Sequence, residues 1–381
     1  MPNSPEVVRV SAASDLVLFQ RVSRFHRNAY PMTINLLLYF EDGCKANCLY
    51  CGQAREASRR RPRERTLIRV DWPIRPLDDV VEALRRLERC GTSVRPCRVC
   101  VATITHYRAV EAELEVIHRI RRETSFPITA LVTPTLFRED EFRELKHVGA
   151  DRIGIAIDCA NPRIFDLLRG RKARGPHRWE RYIEGVEEAV EVFGRGRVGI
   201  HIIVGLGETE KDVVELIQWA HDLGAETHLF AFHPEEGSIL EGWPRVPIGQ
   251  YRRVQMARYL IDNEIARAEE MKFNEWGQII DFGIPKHMLK EIALSGLPFV
   301  TSGCPGCNRP WANEHPGEIP RNYPYPPSEE EALQCYQQMF LYISPPINNE
   351  NQLVDYLVST NAIDSQYSST TLYNTVHLYT R

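Results

Sequence analysis

Residues 33–51 read TINLLLYFEDGCKANCLYC, and this stretch decides the fold. Thr33–Phe40 is an apolar run of strand length, closed by a Glu41-Asp42-Gly43 turn. Cys44, Cys48 and Cys51 follow, three thiols within eight residues on a loop after a strand. Thiolates so placed can converge on one soft metal centre. Three ligands leave one position open, which suits a reactive iron–sulfur cluster and not a structural zinc. Zinc would want a fourth ligand nearby, and neither His nor Cys stands between Cys51 and Cys90.

Downstream, short β-rich runs alternate with helical patterns. The spacing predicts strands over 98–103, 128–133, 152–157, 197–204 and 227–232. Helices are expected at 77–90, 110–124, 139–148, up to Phe193, 210–223 and 248–263, several stopped by glycine. Six successive β-α units imply a parallel sheet with right-handed crossovers, either doubly wound or a barrel. Candidate functional residues follow several different strands, which favours a barrel with its site at the C-terminal mouth. Residues 11–27 read as one amphipathic helix, 54–76 as an Arg-rich loop, and 296–328 as a Gly-, Pro- and Asn-rich segment with little regular structure.

The chain has 381 residues, 43% of them hydrophobic and 26% charged, which excludes a disordered or collagen-like protein. A net charge of −4 argues against coating nucleic acid by bulk charge. No apolar run approaches membrane-spanning length, and MPNSPEVVRV lacks the character of a signal peptide, so the expectation is a cytoplasmic protein with no membrane partner. In that compartment ten cysteines read as metal ligands or catalytic groups rather than disulfides.

The pattern C-x3-C-x-aromatic-C directly after the first strand of a β-α series resembles the radical SAM superfamily, over roughly residues 33–265. The resemblance implies an α/β fold, a partial (β/α)6 barrel with an N-terminal helix and an irregular C-terminal cluster-binding extension. The corresponding division is 1–30 helical extension, 31–270 barrel, 271–343 auxiliary-cluster region and 344–381 atypical tail, the last expected to have no catalytic role. It implies a [4Fe–4S] cluster on Cys44, Cys48 and Cys51, with S-adenosylmethionine on the remaining iron and Tyr50 near the adenine. Ile203-Val-Gly205-Leu-Gly207-Glu208 stands where the family lines the adenosine, making Ile203, Gly205 and Glu208 cofactor candidates; Asp158, ending the fourth strand, stands where ribose hydroxyls are held. The family's G-G-E run after strand two is absent, with Ala102-Thr-Ile-Thr105 in its place, as in enzymes of the biotin synthase kind.

A second cysteine set lies past the barrel. Cys304-Pro-Gly-Cys307 has the form of a metal-binding knuckle, since its turn aims two thiols at one ion. Cys97-Arg-Val-Cys100 stands at the second strand, and Cys100 resembles the strand-two cysteine of biotin synthase's auxiliary cluster. The resemblance therefore implies an auxiliary [4Fe–4S] cluster with Cys100, Cys304 and Cys307 as ligands; structural zinc is the alternative. Ser302 is a candidate ligand, gate or turn cap, Cys97 a candidate spectator, and Cys90, Cys159 and Cys335 read as core residues.

The run from Pro298 through Pro310 to Arg321-Asn-Tyr-Pro324 resembles the archaeal two-protein lipoyl synthase. That implies a radical SAM sulfurtransferase inserting sulfur into an octanoyl chain on a lipoyl carrier protein. Its partners would be the octanoylated carrier, a second radical SAM component and an electron donor such as ferredoxin or flavodoxin. The Arg59–Arg65 stretch could dock an acidic carrier or be a solvated loop, and His233 and Glu235 are plausible pocket residues. Other readings are a biotin synthase-like or other small-molecule radical SAM enzyme, an RNA-modifying protein, and a zinc-bound scaffold.

Overall fold

Apolar alternation along the strands sorts their side chains between a helix-covered face and a lumen. In the computed structural model, which describes residues 2–20, 24–57, 64–89, 96–312 and 314–363, the sheet runs β3-β1-β2-β4-β5-β6-β7-β8. Six strands are parallel neighbours in sequence order: β2 (Thr33–Leu38), β4 (Arg98–Ala102), β5 (Ile128–Val132), β6 (Arg152–Asp158), β7 (Val198–Val204) and β8 (Glu226–Ala231). Each lies within two residues of its sequence expectation. Since β3 and β8 are both edges, the barrel is open.

Val99 and Val101 of β4, Ile153, Ile155 and Ile157 of β6, and Ile200, Ile202 and Val204 of β7 are completely buried under helices. The intervening Cys100, Ala102, Ala156, Asp158, His201 and Ile203 face cavities inside the barrel. The covering helices are α2 (Leu77–Arg89), α3 (Ala109–Glu123), α4 (Glu139–Val148), α5 (Pro162–Leu168), α6 (Trp179–Phe193), α7 (Glu210–Leu223) and α8 (Ile248–Asp262). Local chemistry sets their ends: Asn161 caps α5, Thr209 and Asp212 form a capping box on α7, and Gly149 and Gly224 close α4 and α7 in left-handed conformation.

The N-terminus departs from the expected single helix over 11–27. Val7–Val10 forms β1, antiparallel to β2 and to β3 (Ile74–Pro76), followed by a one-turn helix α1 (Ala12–Asp15) and a π-helical turn at Leu16–Gln20. Val-Val-Arg-Val is a β-prone run whose partner residues lie 26 to 69 positions away, so local periodicity did not reveal it. Buried Arg9 donates to Trp72 O (2.8 Å), Gln53 Oε1 (3.1 Å) and Arg65 O (2.6 Å), tying β1 to the loop beyond the cysteines. That loop, read from sequence as an Arg-rich connection, sends Leu67 and Ile68 into the lumen. Arg59, Arg60, Arg61, Arg63 and Cys90 lie outside the described residues.

Beyond the barrel come a small hairpin of β9 (Lys272–Phe273) and β10 (Ile279–Asp281), then α9 (Lys286–Leu294), α10 (Glu329–Gln338) and α11 (Glu350–Ser359). Two buried arginines of α8 hold this extension. Arg252 donates to Gln338 Oε1, Arg321 O and Pro320 O, and Arg253 pairs with Glu210 (2.6 Å) and donates to Met339 O. The first part of the expected atypical tail is ordered helix. Leu353 and Leu357 of α11 are fully buried, and Leu353 packs where a side chain on Gly207 would sit. No helix among the described residues is long and apolar enough to cross a membrane.

Candidate active site in the barrel lumen

The loop after β2 is held by its own backbone and by neighbouring strand ends. Cys51 N donates to Cys48 O (2.9 Å), Lys45 N to Thr105 O (2.7 Å), Leu49 N to Leu168 O (2.8 Å) and Asn47 Nδ2 to Ala173 O (2.8 Å). Gly52 lets the chain pass closely: a Cβ there would lie 2.8 Å from Thr66 O and 2.9 Å from Glu235 Cγ. Cys44, Cys48 and Cys51 consequently line one cavity of about 260 Å³ at the mouth of the barrel. Burial raises all three thiol pKa values, that of Cys48 to about 11, so the positive charge of bound irons is what would make them thiolates.

Among the described residues no group of three His, Cys, Asp or Glu side chains is set for a single metal ion. A cubane cluster, whose irons each take a separate ligand, requires no such convergence. The three thiols on one cavity wall therefore fit a [4Fe–4S] cluster.

Asp158 ends β6 in a left-handed conformation (φ 62°), beyond an irregularity in the β6–β7 register. Its Oδ2 accepts from Tyr50 Oη (2.6 Å) and from Arg169 Nη1 (2.8 Å). Arg169, itself buried, also donates to Ala156 O, Ile157 O and Tyr182 Oη. Tyr50 thus lies in the cavity wall with its hydroxyl committed to Asp158. Ile203 is in the same wall.

Gly205 and Glu208 are not in that wall. Glu208 turns back on its own loop, accepting from Gly205 N (2.6 Å) and Leu206 N (2.9 Å), and burial raises its pKa to about 7. Gly205 has φ 110°, and a Cβ there would stand 2.7 Å from Val246 Cβ. Both shape the loop beside the cavity. His233 and Glu235 both line the cavity, and Glu235 also accepts from Thr66 Oγ1 and Arg69 N, bracing the 64–70 segment against the cysteine loop.

A second cavity, about 190 Å³, lies deeper in the lumen. Cys100, Cys304 and Cys307 all line it, although some 200 residues separate the first from the others. Cys307 N donates to Cys304 O (2.8 Å) across the knuckle turn, and Thr129 Oγ1 lies 3.4 Å from Cys304 Sγ. The knuckle is pinned beneath the barrel: Ser302 Oγ accepts from Leu229 N (2.8 Å), Asn308 Nδ2 donates to Tyr30 O (2.8 Å), and Arg309 stacks on Phe230 at 3.9 Å. Cys97 is exposed, its Sγ donating to Met32 O (3.3 Å), against Gly306. Cys159 and Cys335 are buried elsewhere in the core.

The two cavities share Leu67, Ile68, Ala102, Leu131, His201 and Phe230, a mostly apolar waist between the two thiol sets. The waist and the lumen-facing His201 and His228 escaped sequence reading. Their one local signal is strand alternation, which puts His201 and Ile203 on the face opposite Ile200 and Ile202. Burial holds both imidazoles well below the ordinary histidine pKa, hence neutral.

Residues 38–220 match the Radical SAM superfamily. A GTP 3',8-cyclase from Limosilactobacillus fermentum is 21% identical over 203 residues, covering 53% of this chain and 54% of that protein. The chain thus spans about half the length of that relative. A biotin synthase from Saccharopolyspora erythraea is 24% identical over 276 residues, covering 69% of this chain and 72% of the relative. Among solved structures, a methylornithine synthase aligns at 14% identity with a TM-score of 0.45, covering 65% of this chain and 66% of its own.

Proposed function

We propose that this chain, a member of the radical SAM superfamily, inserts sulfur at an unactivated C–H of an octanoyl chain on a lipoyl carrier protein, as one half of a split lipoyl synthase. The observation that carries the reading is the apolar waist joining a cavity lined by Cys44, Cys48 and Cys51 to one lined by Cys100, Cys304 and Cys307. When bound, a [4Fe–4S] cluster with S-adenosylmethionine supplies a 5′-deoxyadenosyl radical strong enough to take such a hydrogen. Asp158, oriented by Tyr50 and Arg169, offers a carboxylate to the ribose diol. Leu67, Ile68, Leu131 and Phe230 offer an aliphatic chain a wall without charge and exclude water from its reacting carbon. An auxiliary cluster on the deeper thiols is the proposed sulfur store.

The carrier, a second radical SAM component and a ferredoxin or flavodoxin complete the proposed system, in the cytoplasm. Arg65 does not extend a free basic docking surface, because it donates inward to Gln53 O and Ala54 O. The longer alignment with biotin synthase favours a second reading, a biotin synthase-like enzyme acting on a free small molecule.

The test incubates anaerobically reconstituted protein with S-adenosylmethionine, a reductant and octanoylated carrier domain, following 5′-deoxyadenosine and the mass of the carrier peptide. Carrier-dependent 5′-deoxyadenosine and a peptide carrying one sulfur, completed to two by the second component, are expected. Cofactor cleavage indifferent to the octanoyl carrier, with an unmodified peptide, would overturn the assignment.

A further inference from the structure

We infer that His228 is the nitrogen ligand that completes the deeper metal centre alongside Cys100, Cys304 and Cys307. This rests on the proposal that those cysteines hold a cluster. His228 stands on β8, 2% exposed, and lines the deeper cavity but not the outer one. Its Nε2 is buried, faces Glu226 Oε2 at 3.7 Å, and has no hydrogen-bond partner among the described residues. A buried imidazole left without a partner is unfavourable unless something else takes it up.

Two features prepare the ring. Glu226 Oε2 lies 3.7 Å from Nε2, and Glu226 is itself anchored by Arg152. A carboxylate on that side of the ring draws the imidazole proton to Nε2, so the nitrogen this proposal gives to the metal is Nδ1. The floor under the ring is Gly199 on β7, where a Cβ would fall 2.4 Å from His228 Cε1 and 3.0 Å from Nδ1. Gly199 is not in a left-handed conformation, so the backbone does not demand glycine there; the imidazole does.

The rival donors are engaged otherwise. Ser302 Oγ accepts from Leu229 N, Thr129 Oγ1 accepts from Arg98 Nη1 (3.0 Å), and Arg309 Nη2 donates to the carbonyls of Leu229 and Ser302. Cys97 does not line the cavity. His201 does, but it lies in the waist shared with the outer cavity.

The experiment uses the full chain in a Cys44→Ala/Cys48→Ala/Cys51→Ala background, reconstituted anaerobically without S-adenosylmethionine, so that only the deeper centre fills. Iron and sulfide are counted, and the reduced cluster is examined by pulsed EPR for nitrogen hyperfine coupling, with and without ¹⁵N-histidine. Expected are about four irons and a histidine nitrogen coupling that His228→Ala removes and His201→Ala keeps. His228→Cys should keep the iron and lose the coupling, which separates ligand loss from misfolding. A filled cluster with no histidine coupling, with coupling that survives His228→Ala, or with iron lost on Cys97→Ser instead, would overturn the assignment of His228 and leave the cluster reading standing. Negligible iron in the triple-cysteine background, or iron unchanged on adding Cys304→Ala/Cys307→Ala, would overturn the cluster and His228 together.

Discussion

Replacing Arg169 by leucine tests how Asp158, the proposed ribose ligand, is held in place. The guanidinium donates to Ala156 O (2.6 Å), Ile157 O (2.9 Å), Asp158 Oδ2 (2.8 Å) and Tyr182 Oη (2.8 Å), and its side chain is only 4% exposed. Leucine removes the cation but leaves a mostly buried carboxylate and two strand-end carbonyls without it. Removing one partner of a buried pair costs about 3–5 kcal/mol. Asp158→Asn keeps an acceptor for Tyr50 and removes the charge that Arg169 neutralises. The double variant should therefore be less destabilised than the sum of the singles, with a coupling of about 1–3 kcal/mol. Urea unfolding of the four proteins measures this cycle, and S-adenosylmethionine affinity, measured on folded protein, should fall in every variant. A loss below about 1 kcal/mol for Arg169→Leu, or strict additivity, would show that Arg169 does not hold Asp158 in place.

Three further changes probe the same neighbourhood. Glu208, raised by burial from 4.5 to about 7, binds a proton in the folded state that the unfolded chain has released between those values, so its contribution to stability falls as pH rises through that window. The advantage of wild type over Glu208→Gln should accordingly shrink by roughly 1–3 kcal/mol between pH 4.5 and 7.5 and then level off; denaturation at several pH values showing a constant difference would contradict it. Gly205→Ala places a methyl against Val246 in a left-handed backbone, and should cost about 1–3 kcal/mol and weaken S-adenosylmethionine binding without unfolding the chain, as calorimetry can measure. Leu357→Ala, at a fully buried position of α11, should destabilise by about 2–5 kcal/mol in chemical denaturation; no effect would mean the helix is not docked.

How much was legible follows from the range over which each feature is encoded. The strands of the parallel series and their helices fell where local pattern placed them, because apolar alternation and glycine stops act within ten or so residues. Cys44, Cys48 and Cys51 declare themselves by proximity in the chain. Glu208 shows the limit: its place in the Ile203–Glu208 run was readable, but its carboxylate turns to the loop's own amides, a choice made by burial. Val7–Val10 and Leu353–Leu357 were misread or passed over because the partners that give them structure are far away in sequence.

By itself, then, the sequence determined a parallel β-α series, a three-thiol loop after its first strand and a two-thiol knuckle beyond it, since each is a matter of residue type at short spacing. Only the tertiary structure decided that Cys304 and Cys307 line one cavity with Cys100, that Leu67 and Ile68 enter the lumen, and that His228 rests on Gly199 beside Glu226. Periodicity states which face a side chain takes, but the neighbour it meets across that face depends on strand register and on where the C-terminal extension packs. Those are set by the summed burial of the whole core, which no local stretch of sequence contains.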